Sequence, residues 1–430
     1  VKKVIKLLPS ILFLFAIMAS HVYATNGYWA HGYGAKSKSI AGACVAMAFD
    51  AMCANDNPAS LAMVGNRLDY GLAFFVPQRS FTADNNASSA SPTISPGDYE
   101  SDNDFFLLPH IGYNYMINEK NALGIVVSVH HGGMNTEYGS AIFKDFANPD
   151  NAATVPTSTT GFDLRQMLVG VTYSRKITEQ HALGITPIFA VQMAEVQGLQ
   201  PFTQYSLHPQ QVTNKGNDFS FGGGVRIGWL GKITDYLTLG ASYQSRLWMT
   251  PFEDYKGLLA EEGDFDIPST YEIGLAVKMM PTVTLAVDYQ RIEYNSIKAL
   301  GNSADLALIA GQSLLGSDEG LGFGWKNMNV IKVGIEWKYS PDLILRAGFS
   351  QANEAFPNSQ GLFNILAPAV ARTHLTAGFT VPLNEQVEFS VGFMYAPNET
   401  VTGSNPNTAS QTGSLAMEQY ELAMSWGIRF

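Results

Sequence analysis

The chain has 430 residues with 40 glycines, and 12% are aromatic while only 15% are charged. That charged share falls well below the roughly 25% of an ordinary soluble domain, and a formal net charge of −11 argues against a nucleic-acid partner. Beyond the N-terminus no run approaches the ~18 apolar residues of a membrane helix. The apolar surface is spread over many short stretches, which suits a membrane barrel or a large soluble sandwich.

In chain order, residues 1–24 read as a secretory signal. Lys2, Lys3 and Lys6 form the positive region, residues 7–18 the apolar core, and Val22, Tyr23 and Ala24 offer a cleavage site after Ala24. Export is expected, and the remaining 23 basic residues then face 37 acidic ones, a net −14. Residues 25–67 do not alternate. They are rich in Gly, Ala and Ser, and Asn57, Pro58 and Ala59 mark a helix start, with Asn57 as N-cap and Pro58 at the first position. Small residues pack closely, so a compact plug (a hatch) of short helices is predicted here. Cys44 and Cys53 could pair in an oxidising periplasm or remain two small buried thiols. Their spacing fits no zinc site, and neither metal nor cofactor is expected.

From residue 68 onward a hairpin unit recurs, two alternating strands joined by a short turn carrying Asn, Asp, Pro or Lys. Six copies, plus an opening strand over 68–81 and a closing one over 417–430, give fourteen strands. An even number puts both ends on the periplasmic side, and short turns alternate with seven longer loops, the asymmetry of outer-membrane barrels. A soluble sandwich has no reason to sort its connections that way. The expected fold is all-β, a 14-stranded antiparallel transmembrane β-barrel over 68–430 with an N-terminal plug. In the closing strand Tyr420, Leu422, Met424, Trp426, Ile428 and Phe430 form an oily face, and Glu421, Ala423, Ser425, Gly427 and Arg429 lie between them.

Parity assigns the lumen face, since a one-residue slip would exchange the two faces. Ile331, Val333, Ile335 and Trp337 face lipid, so Lys332 and Glu336 face inward, with Lys326 at the same parity. Arg346, Arg372 and His374 follow inward on the next two strands. Such a basic set could receive a carboxylate, or could only balance Glu336, Glu388 and Glu421. Two loops are oily, one with Leu306, Leu308, Ile309, Leu314 and Leu315, the other with Leu362, Phe363, Ile365 and Leu366. Exposed apolar patches mark binding surfaces, unless the loops fold over the mouth and bury each other. Either way they are poor walls for a watery pore.

Several of these residues together resemble the FadL/TodX family of outer-membrane transporters for long-chain fatty acids and other hydrophobic compounds. Gly32-Tyr33-Gly34 and Asn57-Pro58-Ala59 match its N-terminal segment. Gly324-Trp325-Lys326 and Arg346-Ala347-Gly348 match its Gly-aromatic-Lys and Arg-x-Gly pattern, and Arg372 stands where the family has an Arg opening the next strand. The resemblance implies a hatch moving around Asn57, Pro58 and Ala59, ligand capture outside and binding inside by Lys326, Arg346, Arg372, Lys332 or His374. It also implies a side exit at a kink in the third strand, here near His131, Gly132 and Gly133. Adjacent glycines make a bulge there reasonable.

The expectation is energy-independent diffusion of a long-chain fatty acid across the outer membrane of a Gram-negative bacterium, by a monomer in contact with outer-membrane lipid. The terminal Phe430 would be recognised by the barrel assembly machinery. The alternatives are uptake of uncharged aromatic hydrocarbons, a general porin, or a structural surface barrel. No GxSxG elbow, metal set or Ser/His/Asp grouping suggests an enzyme.

Overall fold

The computed structural model describes residues 26–84, 93–130, 134–140, 142–144, 159–304, 313–404 and 411–430. The predicted signal peptide, the strand-three residues His131, Gly132 and Gly133, and the loop residues Leu306, Leu308 and Ile309 lie outside them. Fourteen long strands form the wall: β1 Arg67–Ala83, β2 Phe106–Asn118, β3 Asn121–His130, β4 Thr160–Lys176, β5 His181–Gln197, β6 Asp218–Lys232, β7 Leu237–Gln244, β8 Thr270–Met280, β9 Val283–Ile292, β10 Met328–Ser340, β11 Leu343–Ala352, β12 Thr373–Pro382, β13 Val387–Ser404 and β14 Thr412–Arg429. Each pairs antiparallel with its sequence neighbours. β14 closes on β1 along the whole of that strand, from Arg67 opposite Arg429 to Ala83 opposite Gly413.

Alternation fixes which face meets lipid. On β10, Met328, Val330, Lys332 and Glu336 are buried while Ile331 is exposed, and on β14, Glu421, Ala423 and Ser425 are buried beneath an outward Leu422. Phe430 is exposed and its ring stacks on Tyr113. No described helix is long and apolar enough to cross a membrane; the crossings here are strands.

Among the described residues, pairing is interrupted between β2 and β3. The β1–β2 ladder runs up to Phe75 opposite Phe106, but the β2–β3 ladder stops at His110 opposite Ser128. On its other edge β3 pairs with β4 as far as His130 opposite Gln166, and pairing resumes at Asn135 opposite Asp163.

Residues 26–66 fill the barrel. A short helix Gly34–Lys38 and a 3-10 turn Ala51–Asn55, capped by Asp50 accepting from Met52 N, are joined by a tight loop in which Gly42 has φ +74°. A Cβ on Gly42 would fall 1.9 Å from His31 O, so only glycine fits. Asn57 Oδ1 accepts from Ala59 N at 3.0 Å, while its Nδ2 donates to Val45 O and to Trp229 O of β6, both at 2.8 Å. One side chain therefore caps a turn and ties the plug to the wall.

The wall makes room for the plug with inward glycines. A Cβ on Gly184 or Gly228 would strike Pro58 or Asn57, one on Gly240 would strike Val45, and one on Gly334 or Gly348 would strike Ile40. Gly184 lies opposite Gly228, Gly240 opposite Gly274, and Gly334 opposite Gly348. At the outer end the loops bury one another. Phe202, Phe252, Tyr255, Phe265, Tyr294, Trp325, Phe363 and Leu366 are all buried in one apolar cluster. Trp325 Nε1 donates to Asn364 Oδ1 at 2.7 Å, and Tyr294 OH reaches down to Asn26 O at 2.5 Å. The oily loops thus form a roof over the barrel.

Candidate functional site

The basic residues of the lumen do not converge. Arg346 on β11 is level with Glu336 and Gly378, while Lys332 is level with Ser350 and His374. Four residues of strand separate the two levels, about 13 Å. Arg346 donates to Glu336 Oε2 at 2.9 Å and Thr380 Oγ1 at 2.7 Å, and its guanidinium covers the Phe49 ring of the plug. Lys332 is buried against Gly42 O and Glu272. Arg372 lies six residues from the level of Arg346, about 20 Å along the strand, and is paired with Glu354 and Glu399. Lys326 is exposed. Lys332, Arg346 and Arg372 are thus engaged with acidic groups or the plug.

His374 is placed differently. Its Nδ1 lies 2.8 Å from Ser350 Oγ and its ring stacks on His31 of the plug at 5.1 Å. Both rings line a cavity of about 60 Å³ between the first residues of the plug and β1, β2, β3, β13 and β14. Trp29, Phe75, Leu108, Val129 and Met394 supply apolar walls, and Pro109, His110, Ser128 and Val129 bring the cavity to the break between β2 and β3.

The cavity's charges cancel. Lys38, from the plug helix, lies 2.5 Å from Glu421 Oε1 of β14, and both are buried. Burial, reinforced by the nearby Lys38 charge, holds the His31 imidazole well below its usual range, so it is uncharged at neutral pH. His110 Nε2 lies 2.8 Å from Ser425 Oγ. A carboxylate entering here would lie beside Glu421 and meet a cation already engaged. An uncharged molecule would meet neither penalty.

Parity placed Glu421 and His374 inward. Ser128, His110 and Gln419 carry the same inward parity, but as uncharged or weakly basic types they give no sequence signal of an ion site. Lys38 and His31 could not be placed, since the plug has no period to read. Cys44 Sγ and Cys53 Sγ are buried 3.1 Å apart, and burial raises the Cys44 thiol well above its usual range. Among the described residues no group of His, Cys, Asp and Glu could hold a metal ion.

A closed 14-stranded barrel, an internal plug and an apolar, charge-balanced cavity at a break in the wall define an outer-membrane channel for hydrophobic compounds. The chain belongs to the outer membrane protein transport protein family (OMPP1/FadL/TodX), whose profile matches residues 21–430. This is a transport family, not an enzyme family, and it places the chain in the outer membrane. In structure the chain is similar to the Pseudomonas putida toluene transporter TodX, at 17% identity and TM-score 0.65 over 93% of this chain and 99% of that one. It is also similar to the Ralstonia pickettii toluene transporter TbuX, at 16% and 0.60 over 93% and 99%. A Pseudomonas aeruginosa FadL homologue matches at 14% and 0.66 over 95% and 100%. A sequence comparison with curated proteins finds no match.

Proposed function

We propose that the chain lets small uncharged hydrophobic compounds diffuse down their gradient across the outer membrane, with the cavity beside β3 as an intermediate stop. The observation that carries this reading is the balanced charge of the cavity, in which Lys38 is neutralised by Glu421 and His31 is uncharged. Toluene is the compound named for two of the similar structures, and it has no charge to place. Apolar walls would favour entry by about 0.8 kcal/mol per buried methylene or its equivalent. The break in pairing between β2 and β3 adjoins the cavity and offers a way out into the bilayer. In this reading the tether of Asn57 to β6 holds the hatch while the ligand passes beside it.

Long-chain fatty acids need a partner for the carboxylate. Lys326 is exposed, and Lys332, Arg346 and Arg372 are engaged with acidic or plug groups, so this reading has less support. The deciding experiment is uptake of labelled toluene and labelled oleate by cells lacking their own transporters and expressing this chain. Faster toluene uptake without faster oleate uptake is the expected result. Faster oleate uptake alone would overturn the reading.

A further inference from the structure

The cavity is neutral without being wholly apolar. On its lining the buried atoms Ser128 Oγ, Gln419 Oε1 and His31 Nε2 have no hydrogen-bond partner among the described residues. Ser128 and Gln419 are 3% and 0% exposed, so bulk water does not serve them. Gln419 is satisfied only through its Nε2, which donates to Met417 Sδ at 3.3 Å, and sulfur is a weak acceptor. Polar groups left this way in a low-dielectric site are costly, and molecules that supply the missing bond are favoured over those that do not.

The two strand residues lie at different heights. Ser128 is level with His110, Gly71 and Ser425 through three successive registers, right at the break between β2 and β3. Gln419 lies six residues up β14 from Ser425, on the side of the cavity nearer the roof, and because the strands of a closed barrel tilt, its height above Ser128 is less than that offset along the strand. The arrangement is a pair of neutral hydrogen-bonding stations, one toward the roof and one at the break, along an otherwise apolar passage.

We propose, building on the function above, that the preferred ligands are apolar molecules carrying one uncharged hydroxyl, such as alkylphenols. The hydroxyl donates to Gln419 Oε1 at the upper station and exchanges a hydrogen bond with Ser128 Oγ at the lower one. A plain hydrocarbon leaves both atoms unserved, and a carboxylate brings a charge the cavity cannot balance. Phenolic and aliphatic hydroxyls share this chemistry, and the aromatic walls at Trp29 and Phe75 favour the phenol.

Toluene and p-cresol differ by a single hydroxyl, so calorimetric binding of both to the purified full chain isolates that group. Wild type should bind p-cresol more tightly than toluene. Ser128→Ala and Gln419→Leu should each lower the preference for p-cresol over toluene about fivefold, the worth of one neutral hydrogen bond. The heat-induced gel shift of the barrel certifies that a variant is folded, and Gln419→Asn serves as a second, more conservative test at the upper station. Equal affinity for the two compounds, or variants that weaken both alike, would overturn the hydroxyl preference while leaving hydrocarbon transport standing. Binding of neither compound would overturn both.

Discussion

Lys38 of the plug and Glu421 of the closing strand meet as a buried ion pair at 2.5 Å, across a sequence separation of 383 residues. The pair joins the hatch to the seam that closes the barrel and removes the charge from the cavity. Removing one partner strands the other in a low-dielectric site, which typically costs about 3–5 kcal/mol, whereas replacing both by apolar residues is often near neutral. Lys38→Met and Glu421→Leu should therefore each lower the temperature of the heat-induced gel shift of the barrel, and the double variant should recover most of the loss. Additive losses would mean that the two charges act separately.

The glycines behind the plug lead to a second expectation. A Cβ at Gly348 would lie 2.3 Å from the backbone carbon of Ile40, a contact that neither chain can relieve by turning a side chain. Overpacking of this kind costs about 1–3 kcal/mol. Gly348→Val should loosen the hatch before it harms the barrel, raising amide hydrogen exchange in residues 34–66 while the strands keep their protection. Unchanged exchange in the hatch would show that the seat is not tight there.

How much of this was legible beforehand divides along physical lines. The strands and their lipid faces were legible because alternation has a period of two, and Ile331 and Lys332 had to fall on opposite faces. Parity fixes a face but not a height. It put Lys332 and Arg346 inward without revealing that they sit four residues apart, nor that register brings Glu336 directly opposite Arg346. The cavity was hidden for a different reason. Its walls come partly from the aperiodic plug, and contacts such as Lys38 with Glu421 depend on the closed cylinder. The oily loops were visible as apolar runs, but the burial of described residues such as Trp325 and Phe363 depends on loops far apart in the chain meeting over one mouth.

Cys44 and Cys53 bear on the plug's rigidity. Their sulfurs are 3.1 Å apart and buried, and the outer membrane faces an oxidising compartment. Protein isolated from the outer membrane without reductant is expected to carry the bond, its intact mass two hydrogens below that of the reduced chain. Closing so short a loop constrains the unfolded plug by only about 2–3 kcal/mol, so Cys44→Ala with Cys53→Ala should fold and differ mainly in hatch exchange. An intact mass matching two free thiols would reduce the pair to packing.

Asp56 gives the hatch a dependence on pH. It accepts a hydrogen bond from Ser37 Oγ at 3.2 Å, and burial, with repulsion from Glu272 of β8, pushes its carboxyl up to about 7 against the pull of Lys332 on β10 and Arg226 on β6. An unperturbed Asp titrates near ~3.9, so the docked hatch holds this proton more tightly than an undocked one. Docking is therefore favoured at low pH, weakens as pH rises between those values, and has lost the whole contribution above about 7. Hatch amides, corrected for intrinsic exchange, should be better protected at about pH 6 than at about pH 8 in wild type. Asp56→Asn should be equally protected at both, because the amide has no proton to lose. A wild-type hatch with the same protection at both values would place the Asp56 titration outside this range.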